Sequence, residues 1–191
     1  MPPAPLIALE RAARRLGVDG RAIEALAGGT RNHVYRLGVP PRSVVVRIAG
    51  AGDADLAVDR ESEVAAQRAA AARGLAPRLL WSSLAEGIVA SEWLPGRSWS
   101  REEAGTPQAI ERVAAWLRAL HATPPPAGLR RVDYLETLLF YCGRLEAARV
   151  PRGLLEAAQD WRAALGEPPR LALCHHDLHH SNVVDSGAEI R

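Results

Sequence analysis

Residues 173–184 read LCHHDLHHSNVV, and His175, Asp177 and Asn182 stand within them in the order H-x-D-L-x-x-x-N. An aspartate can accept or orient the proton of a hydroxyl, and an amide oxygen a few residues on can bind a hard divalent cation. Phosphoryl transfer to a hydroxyl needs both jobs done together: a base at the acceptor, and a metal that neutralises the phosphates. A single tight loop between two strands can aim both side chains into one cleft. Ligand-type residues crowd the same stretch, since Cys174, His175, His176, Asp177, His179 and His180 also read as a zinc or transition-metal cluster. Against that reading, neighbouring side chains on a strand alternate in direction. No second ligand pair stands elsewhere at zinc-site spacing, and Cys142 and His121 fall on different predicted helices.

All 24 basic residues are arginine. The absence of lysine excludes a P-loop lysine, a Schiff-base lysine and a lysine nucleophile, so a phosphate-binding cation here must be arginine. A length of 191 residues suffices for one domain or two small lobes with a real core. Hydrophobic residues at 48% and charged residues at 24% are the proportions of a globular protein. The net charge of +2 gives no argument for a nucleic acid or a membrane surface as partner. Cys142 and Cys174 form no close-spaced pair, which implies reduced thiols. The N-terminus lacks the basic start and apolar run of a signal peptide, and no apolar stretch reaches membrane-spanning length. A cytoplasmic location is the expectation.

Stepping outward from the loop, residues 6–16 have helical apolar spacing that stops at Gly17, and residues 22–26 look like a second short helix. Residues 27–37 read as strand, glycine turn, strand. The β-branched run at 43–48 predicts another strand, with a loop at 50–55. A charged, alanine-rich helix over 58–73 closes at Gly74. Strands are expected at 79–81 and 87–93, and the turn Leu94-Pro95-Gly96-Arg97 marks a boundary between lobes at 94/95. Thr106-Pro107 opens a helix carrying Ile110, Val113, Leu117 and Leu120 in one stripe. Two more helices follow, over 135–145 and 154–165. A short strand at 171–174 delivers the loop, and residues 183–190 form a hairpin beyond it.

Four segments in order resemble the aminoglycoside phosphotransferase and choline kinase superfamily, and bacterial choline/ethanolamine kinase-like proteins in particular. They are GGTRNHVYRL at 28–37, VVVRI at 44–48, DRESE at 59–63 with GLAP at 74–77, and HHDLHHSN at 175–182. WLRALHATPPP at 116–126 also looks like the family's helix ending in a Leu-His pair. The resemblance implies an α+β, protein-kinase-like two-lobed fold: an antiparallel-sheet nucleotide-binding lobe at 1–94 and a helical lobe, incomplete here, at 95–191. It implies ATP and Mg2+ as cofactors and a small-molecule hydroxyl substrate, choline- or ethanolamine-like, with thiamine, an aminoglycoside, a macrolide or a sugar left open. Asp177 is then the catalytic base, His175 a support of the loop, and Asn182 the metal ligand. Gly28 and Gly29 let backbone approach the phosphates, with Thr30 and Asn32 adding polar contacts, although the same turn could be an ordinary hairpin. Arg47 takes the strand position of the phosphate-binding cation, with Glu63 as its carboxylate partner and Glu61 as rival. Backbone at Glu92, Trp93 and Leu94 meets the adenine edge.

The loop departs from the family's H-G-D-x-H-x-x-N form at His176, where a glycine is usual, and at His180-Ser181, where Pro-Gly is common. A second metal-binding aspartate normally follows in an I-D-W-like segment, and Asp185 comes too early for it. The expectation is therefore a C-terminally shortened member with little or no turnover by itself. Its alternative is a catalytically incomplete nucleotide- or partner-binding protein.

Overall fold

The computed structural model describes residues 3–26, 32–50, 59–145, 149–151, 153–166 and 170–191. Helix α1, Pro3–Leu16, ends at Gly17, whose φ of +65° lets the Val18 N–H reach back to the Ala13 carbonyl at 3.1 Å. Its buried stripe of Leu9, Ala12 and Ala13 packs on one face of a five-stranded antiparallel sheet. The strands are β1 (Ile23–Ala25), β2 (His33–Leu37), β3 (Val44–Ile48), β4 (Leu79–Ser83) and β5 (Ile88–Glu92), in spatial order β1-β2-β3-β5-β4. Val44, Val46 and Ile48 alternate into the core beside Tyr35, Leu37, Ile88 and Ala90. The two-residue period therefore turns Arg47 to the opposite face, between Val34 and Val89 in the register.

Helix α2, Arg60–Ala71, covers part of that opposite side. Asp59 caps it by accepting from Ser62 N at 3.1 Å. Beyond the sheet, β6 (Arg97–Ser98) leads into the four-residue helix α3, Arg101–Ala104, whose capping box joins Ser100 and Glu103. Helix α4, Pro107–His121, starts where Thr106 accepts from Ala109 N. In the last stretch β7 (Val184–Asp185) pairs with β6 and turns back at residues 186–189, with Val184 and Arg191 exchanging both backbone hydrogen bonds.

By contacts the chain divides into two compact units, Met1–Leu129 with Ala172–Arg191, and Arg130–Leu171. The boundary expected at 94/95 runs inside the first. The second holds α5 (Tyr134–Cys142), capped by Asp133, and α6 (Leu154–Leu165), whose Arg162 lies 3.2 Å from Asp133.

Three elements differ from the sequence expectation. Residues 22–26 have good helix formers, yet Ile23–Ala25 is a strand, because β2 offers it an edge: Ile23 pairs with Leu37 and Ala25 with Tyr35. No strand forms at 171–174. Leu173 is apolar because it packs between Ala70 and Leu120 on two helices, not because it joins a sheet. Arg97, expected in a turn, begins a strand, since β7 supplies it with a partner distant in sequence. The glycine turn at 28–30 and most of the loop at 50–55 lie outside the described residues.

Candidate active site

Leu173 and Val183, both buried, anchor the two ends of the loop in separate apolar clusters. Between them a single turn of 3-10 helix, His180–Asn182, is closed by the Asn182 N–H donating to the His179 carbonyl at 2.9 Å. That turn brings Asn182 back onto Asp177. The Asn182 Nδ2 donates to the Asp177 backbone carbonyl at 2.9 Å and to its Oδ2 at 3.1 Å. Facing two acceptors, the amide must present its nitrogen there, which leaves the Asn182 side-chain oxygen directed elsewhere. Among the described residues that oxygen accepts no hydrogen bond. An amide oxygen is a ligand type suited to a hard cation such as magnesium.

His175 lies behind this pair. Its Nδ1 accepts from the Asp177 N–H at 3.3 Å, and its ring meets Trp116 of α4 edge-on at 5.8 Å between centroids. Burial pushes its pKa down, with the nearby Asp177 charge opposing, so the ring is held neutral as that accepting role requires. Trp116 is fixed in turn by donating to the Leu75 carbonyl at 3.0 Å. His176 has φ of +62°, the one non-glycine residue in the left-handed region among those described. A glycine, the residue the resemblance leads one to expect at this position, would adopt that φ without strain. His179 and His180 are engaged within the loop and by Trp99. His179 Nδ1 lies 2.9 Å from Ser181 Oγ, and His180 Nδ1 lies 3.0 Å from the Trp99 carbonyl. Among the described residues no group of three or more His, Cys, Asp or Glu could hold a metal ion.

On the sheet, Arg47 Nη1 lies 2.5 Å from Glu63 Oε1. Glu61, one residue pair earlier on α2, is exposed. Glu63 is shared: Arg60 Nη1 donates to its other oxygen at 2.6 Å while Arg60 Nη2 donates to Asn32 Oδ1 at 3.2 Å. Burial disfavours the Glu63 charge, but hydrogen bonds and charges from Arg47 and then Arg60 more than offset this and lower its pKa. Two guanidinium groups thus share this one carboxylate, and Arg60 links it to Asn32. Arg60 is a member that sequence reasoning missed. Its signal lay in the spacing, since residues three apart on a helix share a face.

At the end of β5 the Glu92 N–H is taken by the Arg78 carbonyl, and its carboxylate accepts from Arg78 N at 3.0 Å and Nε at 2.8 Å. The Trp93 ring lies under the Arg36 guanidinium at 4.4 Å. Leu94 and Pro95 line a small cavity of about 140 Å3 with Val184, Ser186, Glu189 and Arg191. Among the described residues the main chain of Trp93 and Leu94 makes no hydrogen bond outside the sheet. Asn32, Arg47, Glu63, the 92–94 segment and the loop all belong to the first compact unit.

Residues 22–190 match the phosphotransferase enzyme family. Solved structures show the same fold. An ethanolamine kinase of Plasmodium vivax matches with a TM-score of 0.71 at 17% identity, over 88% of this chain and 54% of its own. A choline/ethanolamine kinase family protein of Mesorhizobium loti matches at 0.69 and 25% identity, over 95% and 62%. The choline kinase LicA of Streptococcus pneumoniae matches at 0.72 and 21%, over 96% and 65%. The chain thus spans from about half to just under two thirds of the length of these structures. LicA has also been solved with AMP, and an aminoglycoside phosphotransferase that matches at 0.64 has been solved with AMP-PNP and hygromycin B. The antiparallel sheet with its helices is the protein-kinase-like fold these enzymes share. No curated protein matches the sequence significantly.

Proposed function

Since this chain belongs to the phosphotransferase enzyme family, we propose that it serves an ATP-dependent transfer of the γ-phosphate to the hydroxyl of a small molecule, choline- or ethanolamine-like. The observation that carries the reading is the Asp177–Asn182 contact. It holds the Asp177 carboxylate and the Asn182 side chain together on one short loop through Asn182 Nδ2, with the amide oxygen turned away from Asp177.

In this reading the acceptor hydroxyl gives its proton to the Asp177 carboxylate as its oxygen bonds to the γ-phosphorus. The bond from that phosphorus to the β-bridging oxygen breaks, and ADP leaves. Arg47, oriented by Glu63, meets the α- and β-phosphates, and Asn32, bonded to Arg60, adds a polar contact near them. The Trp93 and Leu94 backbone meets the adenine edge, with the Leu94–Val184 cavity receiving the ring. Asn182 would hold magnesium through its side-chain oxygen. That ion, when bound, neutralises phosphate charge. Residues 1–94 would serve the nucleotide and 95–191 the chemistry. The ethanolamine and choline kinases among the similar structures support the choice of acceptor.

The test has two parts. Binding of AMP-PNP with magnesium is measured on this chain, and acceptor-dependent ADP release is screened on the natural gene product carrying these residues, against choline, ethanolamine, thiamine, aminoglycosides, macrolides and sugars. We expect binding, and ADP release with an amino alcohol that falls about a hundred- to ten-thousandfold in Asp177→Asn while AMP-PNP affinity is kept. Undiminished release in that variant would remove Asp177 from the base role. Release with an aminoglycoside alone would reassign the acceptor.

A further inference from the structure

Asp185 lies three residues past Asn182 and has no place in the catalytic pattern. Its side chain is only 13% exposed and is the meeting point of four donors. Arg112 of α4 grips it with both guanidinium nitrogens, Nη1 to Oδ2 at 2.5 Å and Nη2 to Oδ1 at 2.8 Å. The Trp99 indole N–H donates to Oδ2 at 2.7 Å, and the Gly187 N–H donates to Oδ1 at 2.7 Å. Arg112 and Trp99 are 73 and 86 residues away in sequence, so the carboxylate joins parts of the chain that nothing local brings together. Hydrogen bonds from Arg112, ahead of those from Trp99 and Gly187, hold its pKa well below the usual carboxylate range.

The contacts around it form a continuous seam. Arg97 pairs with Asp185 and Ser98 with Val184. Ser98 Oγ donates to the Ser181 carbonyl at 3.1 Å, and His180 Nδ1 meets the Trp99 carbonyl at 3.0 Å. Gly96 sits so close that a Cβ there would lie 2.5 Å from the Asp185 carbonyl oxygen. Gly96 is thus required by close approach to the hairpin. Trp99 and Val183 share an apolar cluster with Ala109 of α4, beneath the same seam.

We infer that Asp185 is a positioning residue for Asn182, clamping the end of the catalytic loop to Arg112 and Trp99 so that the metal-ligand oxygen and β6 are carried as one rigid piece. The inference rests on the proposed role of Asn182. With the clamp intact, the 3-10 turn at His180–Asn182 is pinned on one side by Ser98 and Trp99 and on the other by β7. Loss of the carboxylate leaves the Arg112 charge unpaired beside the loop and releases the turn that aims Asn182.

The test compares the full chain with Asp185→Asn, which keeps shape, and with Asp185→Ala and Arg112→Lys. Hydrogen exchange is followed at residues 178–185, with β3 as an internal reference. AMP-PNP affinity is measured with and without Mn2+. We expect exchange of the loop to rise at least tenfold in Asp185→Asn with β3 unchanged, and the Mn2+-dependent gain in affinity to fall at least fivefold while metal-free affinity stays within twofold. Arg112→Lys, retaining the charge but not the two-pronged grip, should lie between. Asp185→Asn with native exchange in the loop overturns the clamp. Loosened exchange with a full Mn2+ gain reduces Asp185 to a structural residue and overturns the positioning role. If the unmodified chain binds no AMP-PNP under either condition, the proposed function fails, and the inference, which rests on it, is overturned too.

Discussion

Asp177 and Asn182 show how much six consecutive residues can do when one turn folds them together. The amide nitrogen of Asn182 is spent on Asp177, so the asparagine can offer only oxygen to a ligand. His175 contributes from behind, as a neutral ring wedged against Trp116. The neighbouring His176 carries the cost of the loop's shape. An L-residue in the left-handed region is disfavoured by about 1–2 kcal/mol relative to its right-handed alternatives, a penalty glycine does not bear. Comparing His176→Gly with His176→Ala isolates the backbone, because both remove the imidazole. The glycine variant should be the more stable of the two by about 1 kcal/mol in urea unfolding. Equal stabilities would mean that φ at 176 relaxes in solution.

At the scale of elements, the site depends on β3 and α2 being placed face to face. The alternation of β3 sends Val44, Val46 and Ile48 to α1 and Arg47 to α2. Asp59 starts α2 at a point that sets Glu63, rather than Glu61, opposite Arg47. The sequence named both candidates because helix periodicity alone cannot tell which face meets a strand distant in the chain. On the proposed function, Glu63→Gln should weaken AMP-PNP binding about tenfold or more. It frees Arg47 and Arg60 from their shared anchor and loosens the Arg60–Asn32 contact. Glu61→Gln, on the exposed side, should leave affinity unchanged. Equal losses in calorimetric titrations of the two variants would sink the assignment of Glu63.

For the whole molecule, the response to acid follows from the direction of the shifts. Glu63, Glu92 and Asp185 are all held below their ordinary values by arginines, in each case against the effect of burial. Glu103, bonded to Arg97 and to the Ser100 N–H, is pushed down to about 2. A carboxyl with a lowered folded pKa stabilises fully above its unfolded value, about 3.9–4.3, and that contribution is lost as pH falls through the folded value. His175 acts earlier and with the same sign. Its folded pKa is lowered, so the unfolded chain binds the extra proton, and stability is lost as pH drops below about 6.5. Urea midpoints should therefore be flat above about pH 7, decline gently toward pH 5, and fall steeply below about pH 4. His175→Gln should remove the gentle decline and leave the steep one. A midpoint rising on acidification from pH 7 to 5 would contradict the burial of His175. The sequence alone determined the chemistry-bearing loop, the arginine at the middle of β3, most of the helices and strands, and the likeness to a phosphotransferase, because residue spacing, caps and two-residue or 3.6-residue periods are local. Long-range packing decided the rest. It made Ile23–Ala25 an edge strand against its helical propensity, recruited Arg97–Ser98 to β7, chose Glu63 over Glu61, and drew Arg112 and Trp99 onto Asp185. Each of those depends on a partner beyond the reach of a helical turn or a tight hairpin, and no local pattern encodes which partner arrives.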